Sequence, residues 1–438
     1  MTFTELRRKH PRFIYESFEV KEEGGKLSIQ FSLTLEPDII FHPTLTIPIE
    51  TKIDKSIIDL FAFHLGMVEC ISYWKAACPV ELVVRAGSLN QEQITFWHDL
   101  FLNGLGEFFY KNNIDFTQKD FLRISSSLNP NTKYVIPAPL SRDLVLVGGG
   151  KDSALTLELL KKSGHPTRPL VLNPTRAALD AIKIAGLTNP IIVKRTIDPK
   201  LLELNNMGYL NGHTPFSAYL AFLGLFVAVL HGYENVIVSN EASASEGNVM
   251  FHGVEVNHQY SKSYRFEKMF REYAQKYLTD KYQYFSLLRP LNELQISKMF
   301  SEFPQYFSSF RSCNVGSKTD SWCGKCAKCA STFLMLFPFV AYEQVISIFG
   351  GDLFTKPEII GFVRELVGLG SHKPFECVVT TDEAKLAVTL SIKRYQSLGK
   401  EPPRDLLNIE KEIGVVDERV LSARNNNHFV PEAYLKIL

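Results

Sequence analysis

The sequence predicts an α/β fold, and three observations carry that prediction. Residues 144–147 form an apolar run of Val and Leu, three glycines follow at Gly148, Gly149 and Gly150, and residues 153–160 show the apolar spacing of a helix. Further on, short apolar runs at 170–173, 191–193 and 235–239 alternate with helix-like stretches at 175–186 and 216–232. Such alternation implies a parallel sheet with right-handed crossovers, in which ligands sit beyond the carboxyl ends of the strands. With 438 residues, 45% hydrophobic and 22% charged, the chain is long enough for two or three domains with cores of their own.

The N-terminal third has a pattern of its own. Residues 13–20 and 27–35 are β-rich runs joined across Gly24-Gly25, a hairpin signal, and 42–49 offers a third strand. Residues 56–77 are helical in pattern, 81–86 form a short strand, and 90–110 read as an amphipathic helix opened by Asn90 and Gln93 at capping-box spacing. Pro137 and Pro139 then resist helix, so a boundary is expected at 137. This divides the chain into an N-terminal α+β domain (1–137), a nucleotide-binding domain (138–311) and a C-terminal region with a cysteine cluster and helices (312–438).

A net charge of +1 gives no reason to expect nucleic acid or another polyanion as a partner. The N-terminal charges are not followed by an apolar stretch, so no secretory signal is expected. The longest apolar run, 216–230, falls short of the roughly 20 residues that span a bilayer. These features predict a cytoplasmic protein with no membrane association, and no obligate protein partner is evident.

The glycine stretch is the chemical centre of the sequence. Gly148, Gly149 and Gly150 can adopt positive φ and leave no Cβ in the way, so their N–H groups can converge on a phosphate at a helix N-terminus. Lys151 adds a cation, Asp152 a cap or metal ligand, and Ser153 a hydroxyl. The spacing fits neither Walker A nor the dinucleotide fingerprint. Asn173, Asn240 and Glu241 follow later strands and are candidates for contacts to base, ribose or phosphate. The polar stretch 241–267 is dense in groups that hold carboxylates and phosphates, among them Asn257, His258, Gln259, Lys262, Ser263 and Arg265.

Of seven cysteines, four cluster as Cys313, Cys323, Cys326 and Cys329. Two C-x-x-C steps with a fourth thiol upstream suit a closed tetrahedral thiolate site of structural kind, with zinc the favoured metal and an iron–sulfur cluster the alternative. Cys70, Cys78 and Cys377 read as packing residues.

Gly148-Gly-Gly-Lys-Asp-Ser153 resembles the Ser-Gly-Gly-x-Asp-Ser loop of the PP-loop ATP pyrophosphatases (adenine nucleotide alpha hydrolase-like), with Gly148 in place of the leading Ser. Together with Cys-Gly-x-Cys-x-x-Cys at 323–329, it also resembles 7-cyano-7-deazaguanine synthase over the middle of the chain. A resemblance that covers nearly all of the chain is to the MurL family, ATP-dependent epimerases of UDP-N-acetylmuramoyl-L-alanyl-L-glutamate. It rests on that hexapeptide, on His64-Leu-Gly-Met-Val-Glu-Cys-Ile-Ser-Tyr-Trp-Lys75, on Ser239-Asn-Glu-Ala-Ser-Ala-Ser-Glu-Gly-Asn248, on Asn257-His-Gln-Tyr-Ser-Lys-Ser263, on Trp322-Cys-Gly-Lys-Cys-Ala-Lys-Cys329 and on Gly370-Ser-His-Lys-Pro-Phe-Glu-Cys377.

The resemblance implies a PP-loop sheet, ATP and Mg²⁺ as cofactors with structural Zn²⁺, a UDP-muramoyl dipeptide as substrate, and a place in peptidoglycan precursor synthesis. ATP would be split to AMP and pyrophosphate while the glutamate carboxylate becomes an acyl-adenylate, whose α-proton is acidic enough for a side-chain base. Lys151, Asp152, Ser153, His258 and Lys262 are the catalytic candidates. Asn257, His258, Lys262, Arg265 and Lys75 are the candidates for holding substrate, and Glu69 joins His258, Lys262 and Lys75 as a possible proton carrier. Two other readings stay open, another PP-loop adenylating ligase and a zinc-stabilised binding module without catalysis.

Overall fold

Gly24 and Gly25 have φ of +57° and +72°, the pair of left-handed values that a two-residue type I′ turn requires. Strands Arg12–Glu23 and Lys26–Leu35 therefore fold back antiparallel, with Glu23 opposite Lys26. Along the second strand every other side chain is buried, the alternation of a sheet with one wet face. This computed structural model describes residues 1–127, 134–376 and 379–438. Cys377, expected as a packing residue, lies outside the described residues.

Two units emerge, each assembled from three stretches of chain. Unit 1 comprises Met1–Leu144, Ile191–Val236 and Met250–Tyr284, and unit 2 comprises Val145–Pro190, Ile237–Val249 and Phe285–Leu438. In unit 1 the hairpin continues through Thr44–Pro48 to Ile191–Thr196 on one side and through Glu81–Ser88 to Arg123–Ser127 on the other. Ile39–Phe41 pairs with Lys26–Leu35. The expected strand at 42–49 is Thr44–Pro48, while Ile39–Phe41 and Arg123–Ser127 were not signalled by the sequence.

Helix Lys55–Trp74 starts at Asp54, whose carboxylate accepts from the Ser56 N–H at 2.7 Å. It is long and apolar enough to cross a membrane by length and composition, and 89% of its most apolar window is buried within the protein. A Cβ on Gly66 would come within 1.9 Å of the Tyr15 hydroxyl, so only glycine lets this helix lie against the sheet. The expected helix at 90–110 begins on the Asn90–Gln93 capping box but divides into Gln91–Gly104 and Gly106–Lys111. The break has a packing cause. A side chain at Gly104 would meet Pro215 at 2.8 Å, and one at Gly106 would meet Val256 at 3.2 Å.

Unit 2 is α/β. Thr167–Leu172 lies within it, and it holds the last residues of Leu140–Leu146, Tyr233–Val238 and Gln283–Ser286; these strands are neighbours in the order Gln283–Ser286, Tyr233–Val238, Leu140–Leu146 and Thr167–Leu172. The chain leaves Leu140–Leu146 for a neighbour on one side and later returns to a neighbour on the other, which makes the end of that strand a topological switch point. Helices Lys151–Lys161 and Arg176–Ile184 follow the first two of these strands in sequence, as expected. Helices Ala327–Leu336, Tyr342–Phe349, Pro357–Leu366, Thr381–Ser397 and Arg404–Ile413 build the C-terminal part around Phe333, Phe337, Phe354 and Tyr395.

Candidate functional site

At the switch point of unit 2, Gly149 has φ +88° and a Cβ there would lie 2.5 Å from the Ala178 nitrogen. Glycine is required twice over, by backbone conformation and by the approach of the neighbouring helix. Ser153 turns inward to the loop, its Oγ accepting from Gly149 N–H at 3.1 Å and donating to the Gly150 carbonyl at 3.0 Å. Gly150 caps helix Lys151–Lys161 without a side chain, which leaves the first-turn N–H groups of an eleven-residue helix facing the loop.

Lys151 is almost fully buried, paired with Asp152 and, at 2.7 Å, with Glu293. Burial pushes its ammonium pKa down, but the charges of Asp152 and Glu293 outweigh burial and hold it above the usual lysine range. Glu293 opens helix Glu293–Phe300, placed by the Asn292–Gln295 capping box. Its carboxyl is pushed up by burial despite Lys151 and Lys328 nearby, and its Oε2 is buried with no hydrogen-bond partner. Carboxylate oxygens of Asp152, Glu241 and Glu293 lie within 4.8 Å of one another. Three hard oxygen donors, one of them unpartnered, fit a divalent cation such as Mg²⁺. Asp152 and Glu241 were legible as candidates; Glu293, 140 positions beyond the loop, carried no signal. Asn240 donates to Ser286 at 3.2 Å, and Asn173 sits in the left-handed region at φ +47°.

Elsewhere in unit 2, Cys313, Cys323, Cys326 and Cys329 bring their sulfurs within 4.8 Å of one another. Three of the separations are 3.7, 3.7 and 3.6 Å, for Cys313–Cys326, Cys323–Cys329 and Cys326–Cys329. Four thiolates at about 2.3 Å from one zinc in a tetrahedron lie about 3.8 Å apart, so the spacing suits one ion. An iron–sulfur core would spread them wider. Gly324, at φ +64°, makes the turn between the first pair, and Gly316 N–H donates to Cys313 Sγ at 3.2 Å.

Unit 1 holds a second cluster, of which the sequence marked only His258. Val256 packs on Gly106 and leads to His258, while Gly212, at φ +153°, packs on Phe108 and leads to His213. Both imidazoles are thereby carried to Glu107, which helix Gly106–Lys111 presents between them. His258 Nδ1 makes a short hydrogen bond to Glu107 Oε2, and His213 Nδ1 lies 3.4 Å from the same oxygen. Lys111 meets the other carboxylate oxygen at 2.5 Å. Burial pushes the Glu107 carboxyl up, but the hydrogen bond and charge of His258, with Lys111 and His213, bring it down to about 2. His213 is lowered to about 3, first by burial and then by the charge of His258.

The remaining expected residues separate in unit 1. Lys75 is buried behind the His213 loop, its ammonium donating to the Gly212 and His213 carbonyls and, at 2.7 Å, to Thr214 Oγ1. Burial lowers its pKa to about 8. Glu69 is held by Arg195 through two hydrogen bonds of 2.8 and 2.7 Å, within a buried patch that includes Ser72 and Tyr219. That geometry makes Glu69 a structural anion. Lys262 ends a short 3₁₀ turn, Asn257 accepts from the Gln259 N–H at 2.7 Å, and the exposed Arg265 pairs with Asp99. A cavity of about 700 Å³ also lies in unit 1, lined by His64, Asn90, Ile136, Tyr277 and Lys281 among others, and none of the expected site residues lines it.

A family model described as the MurL N-terminal domain matches residues 4–287, and one described as the MurL C-terminal domain matches residues 307–402. The chain belongs to the MurL family. It is 32% identical to the UDP-N-acetyl-alpha-D-muramoyl-L-alanyl-L-glutamate epimerase of a Micromonospora species, over 99% of both chains. It is 33% identical to the proteins of that name from Salinispora tropica, over 88% of this chain and 86% of the relative, and from Xanthomonas oryzae pv. oryzae, over 84% and 83%. The MurL models span both units, so both the glycine loop and the Glu107–His258 cluster fall within the family's matched length.

Proposed function

We propose that this MurL-family chain is an ATP-dependent epimerase that inverts the terminal L-glutamate of UDP-N-acetylmuramoyl-L-alanyl-L-glutamate in peptidoglycan precursor synthesis. The observation that carries the ATP-dependent part is the glycine loop at the switch point, with Lys151 and three converging carboxylates at its rim. The relatives' printed activity supports the substrate and the stereochemical outcome.

In this reading the loop amides and the helix N-terminus receive ATP phosphates, as in the PP-loop enzymes. Lys151 exchanges a carboxylate partner for the departing pyrophosphate. Asp152, Glu241 and Glu293 would hold Mg²⁺, which when bound neutralises phosphate charge. Adenylation converts a glutamate carboxylate, a poor electron sink, into a neutral acyl group that acidifies the α-carbon. The four cysteines would hold a structural Zn²⁺ with no part in the chemistry. ATP and UDP-linked precursors are cytoplasmic molecules, and the reading carries that location with it.

One incubation tests the proposal. Supplied with the L-glutamyl substrate, ATP and Mg²⁺, the protein should release AMP and pyrophosphate, and chiral analysis of the hydrolysed peptide should find D-glutamate. ADP as the only nucleotide product would sink the adenylation. AMP with the L configuration retained would instead favour an adenylating ligase.

A further inference from the structure

We propose that Glu383, acting through Ser243, is a positioning residue of the nucleotide site, which holds Glu241 and Glu293 at the spacing a divalent cation needs. The inference deepens the ATP- and Mg²⁺-dependent reading and rests on it. Every residue it uses belongs to unit 2.

Asp152, Glu241 and Glu293 come from three separate segments, and their carboxylates lie within 4.8 Å of one another. Like charges so close repel, so the segments must be held by something besides the carboxylates themselves. Lys151 does part of this, pairing with Asp152 and Glu293. The Glu241 segment is tied in through its backbone. Ala242 N–H donates to the Leu291 carbonyl at 2.9 Å, and Glu293 N–H donates to Ser243 Oγ at 3.1 Å. The fully buried Arg289 donates to the Glu241 carbonyl. The residues just after Glu241 are thereby stitched to the start of helix Glu293–Phe300.

Glu383 closes the stitch. Ser243 Oγ donates to Glu383 Oε2 at 2.7 Å, and Leu294 N–H donates to Glu383 Oε1 at 2.9 Å. Glu383 and Ser243 are each 1% exposed. One carboxylate oxygen thus meets the Glu241 segment and the other meets the Glu293 helix. Glu383 also has a local role, as the third residue of a capping box whose Thr380 N–H and Oγ1 donate to Oε2 at 3.0 and 2.7 Å. That box engages Oε2 alone. A cap requires neither the Oε1 bond to a second helix nor the Ser243 bond to a separate loop. Both helix N-termini favour a negative charge where they converge, which keeps Glu383 an acceptor. On the cation side, Glu293 Oε1 is held by Lys151 while Oε2 is buried without a hydrogen-bond partner, the oxygen left for a metal ion.

The test compares Ser243→Ala and Glu383→Gln, at the two ends of the strut, with Thr380→Ala, which cuts only the capping-box contacts of the same carboxylate. Calorimetric titration with a non-hydrolysable ATP analogue, with and without Mg²⁺, gives the gain in affinity that the cation confers; melting temperature and the Mg²⁺ dependence of labelled-pyrophosphate exchange into ATP are read alongside. Ser243→Ala and Glu383→Gln should reduce the gain by about 10-fold or more, with metal-free affinity within about threefold of wild type. The Mg²⁺ concentration for half-maximal exchange should rise by a similar factor, and the rate at saturating Mg²⁺ should stay within about threefold. Thr380→Ala should lower the melting temperature and leave the gain within about twofold. A gain within about twofold of wild type in either folded strut variant overturns the positioning role. So does a loss in Thr380→Ala equal to theirs, which would make Glu383 a cap alone. Loss of cooperative melting in both strut variants, with Thr380→Ala folded, overturns it as well, because the contacts would then hold the fold and not the site. Failure of the underlying reading shows separately, as wild-type protein that binds no analogue or gains nothing from Mg²⁺, and that result removes the role of Glu383 with it.

Discussion

The two clusters of charged residues are built on opposite plans. In unit 1 a single carboxylate, Glu107, is shared by two imidazoles and a lysine, with Lys75 and Lys262 nearby. In unit 2 the contacts of a single lysine, Lys151, are with carboxylates, and a third carboxylate, Glu241, joins Asp152 and Glu293. Each minority charge is almost fully buried. On the proposed function, the majority charge would favour an anion beside Glu107 and a cation with its phosphates beside Lys151. Both clusters draw on segments far apart in sequence, so in neither is the charge balance visible until the chain is folded.

The strongest way to break this comparison is to remove charge from unit 2. If the four clustered cysteines hold zinc as proposed, Cys326→Ser should abolish stoichiometric zinc binding and lower stability by several kcal/mol, because metal affinity is folding free energy. Elemental analysis and thermal melting check it, and a metal-free wild type with unchanged melting would end the zinc assignment. Next in size, Lys151→Ala strands the buried Glu293 and should cost about 3–5 kcal/mol in urea unfolding as well as activity. A companion Glu293→Gln change should return much of that stability. Strict additivity of the two changes would show that the ion pair is not coupled as described.

The smallest effect belongs to unit 1. The Glu107 carboxyl is depressed in the folded protein, from 4.5 to about 2, so its contribution is complete above the unfolded value and fades as pH falls through 2. Glu107→Gln should remove about 2 kcal/mol of stability at neutral pH and flatten the loss between pH 4.5 and 2. Identical acid unfolding curves for variant and parent would show that the partners of Glu107 do not stabilise its charge.

What the sequence alone determined is local. The Gly24-Gly25 turn, the Asn90–Gln93 capping box, the glycine loop and the Cys-x-x-Cys steps all rest on φ, ψ and spacing within a few residues, and each stands in the structure where it was read. Tertiary packing decided the rest. Glu107 and His258 lie 151 positions apart, and they meet because Gly106 admits Val256 against one side of a short helix while Gly212 admits Phe108 on the other. Glu69 and Lys75 looked like proton carriers on a helix face until Arg195 and the 212–214 loop, more than a hundred positions away, occupied them. A charged residue in a linear sequence declares its chemistry but not its partner, and the partner fixes whether that charge reacts, binds or holds the fold together.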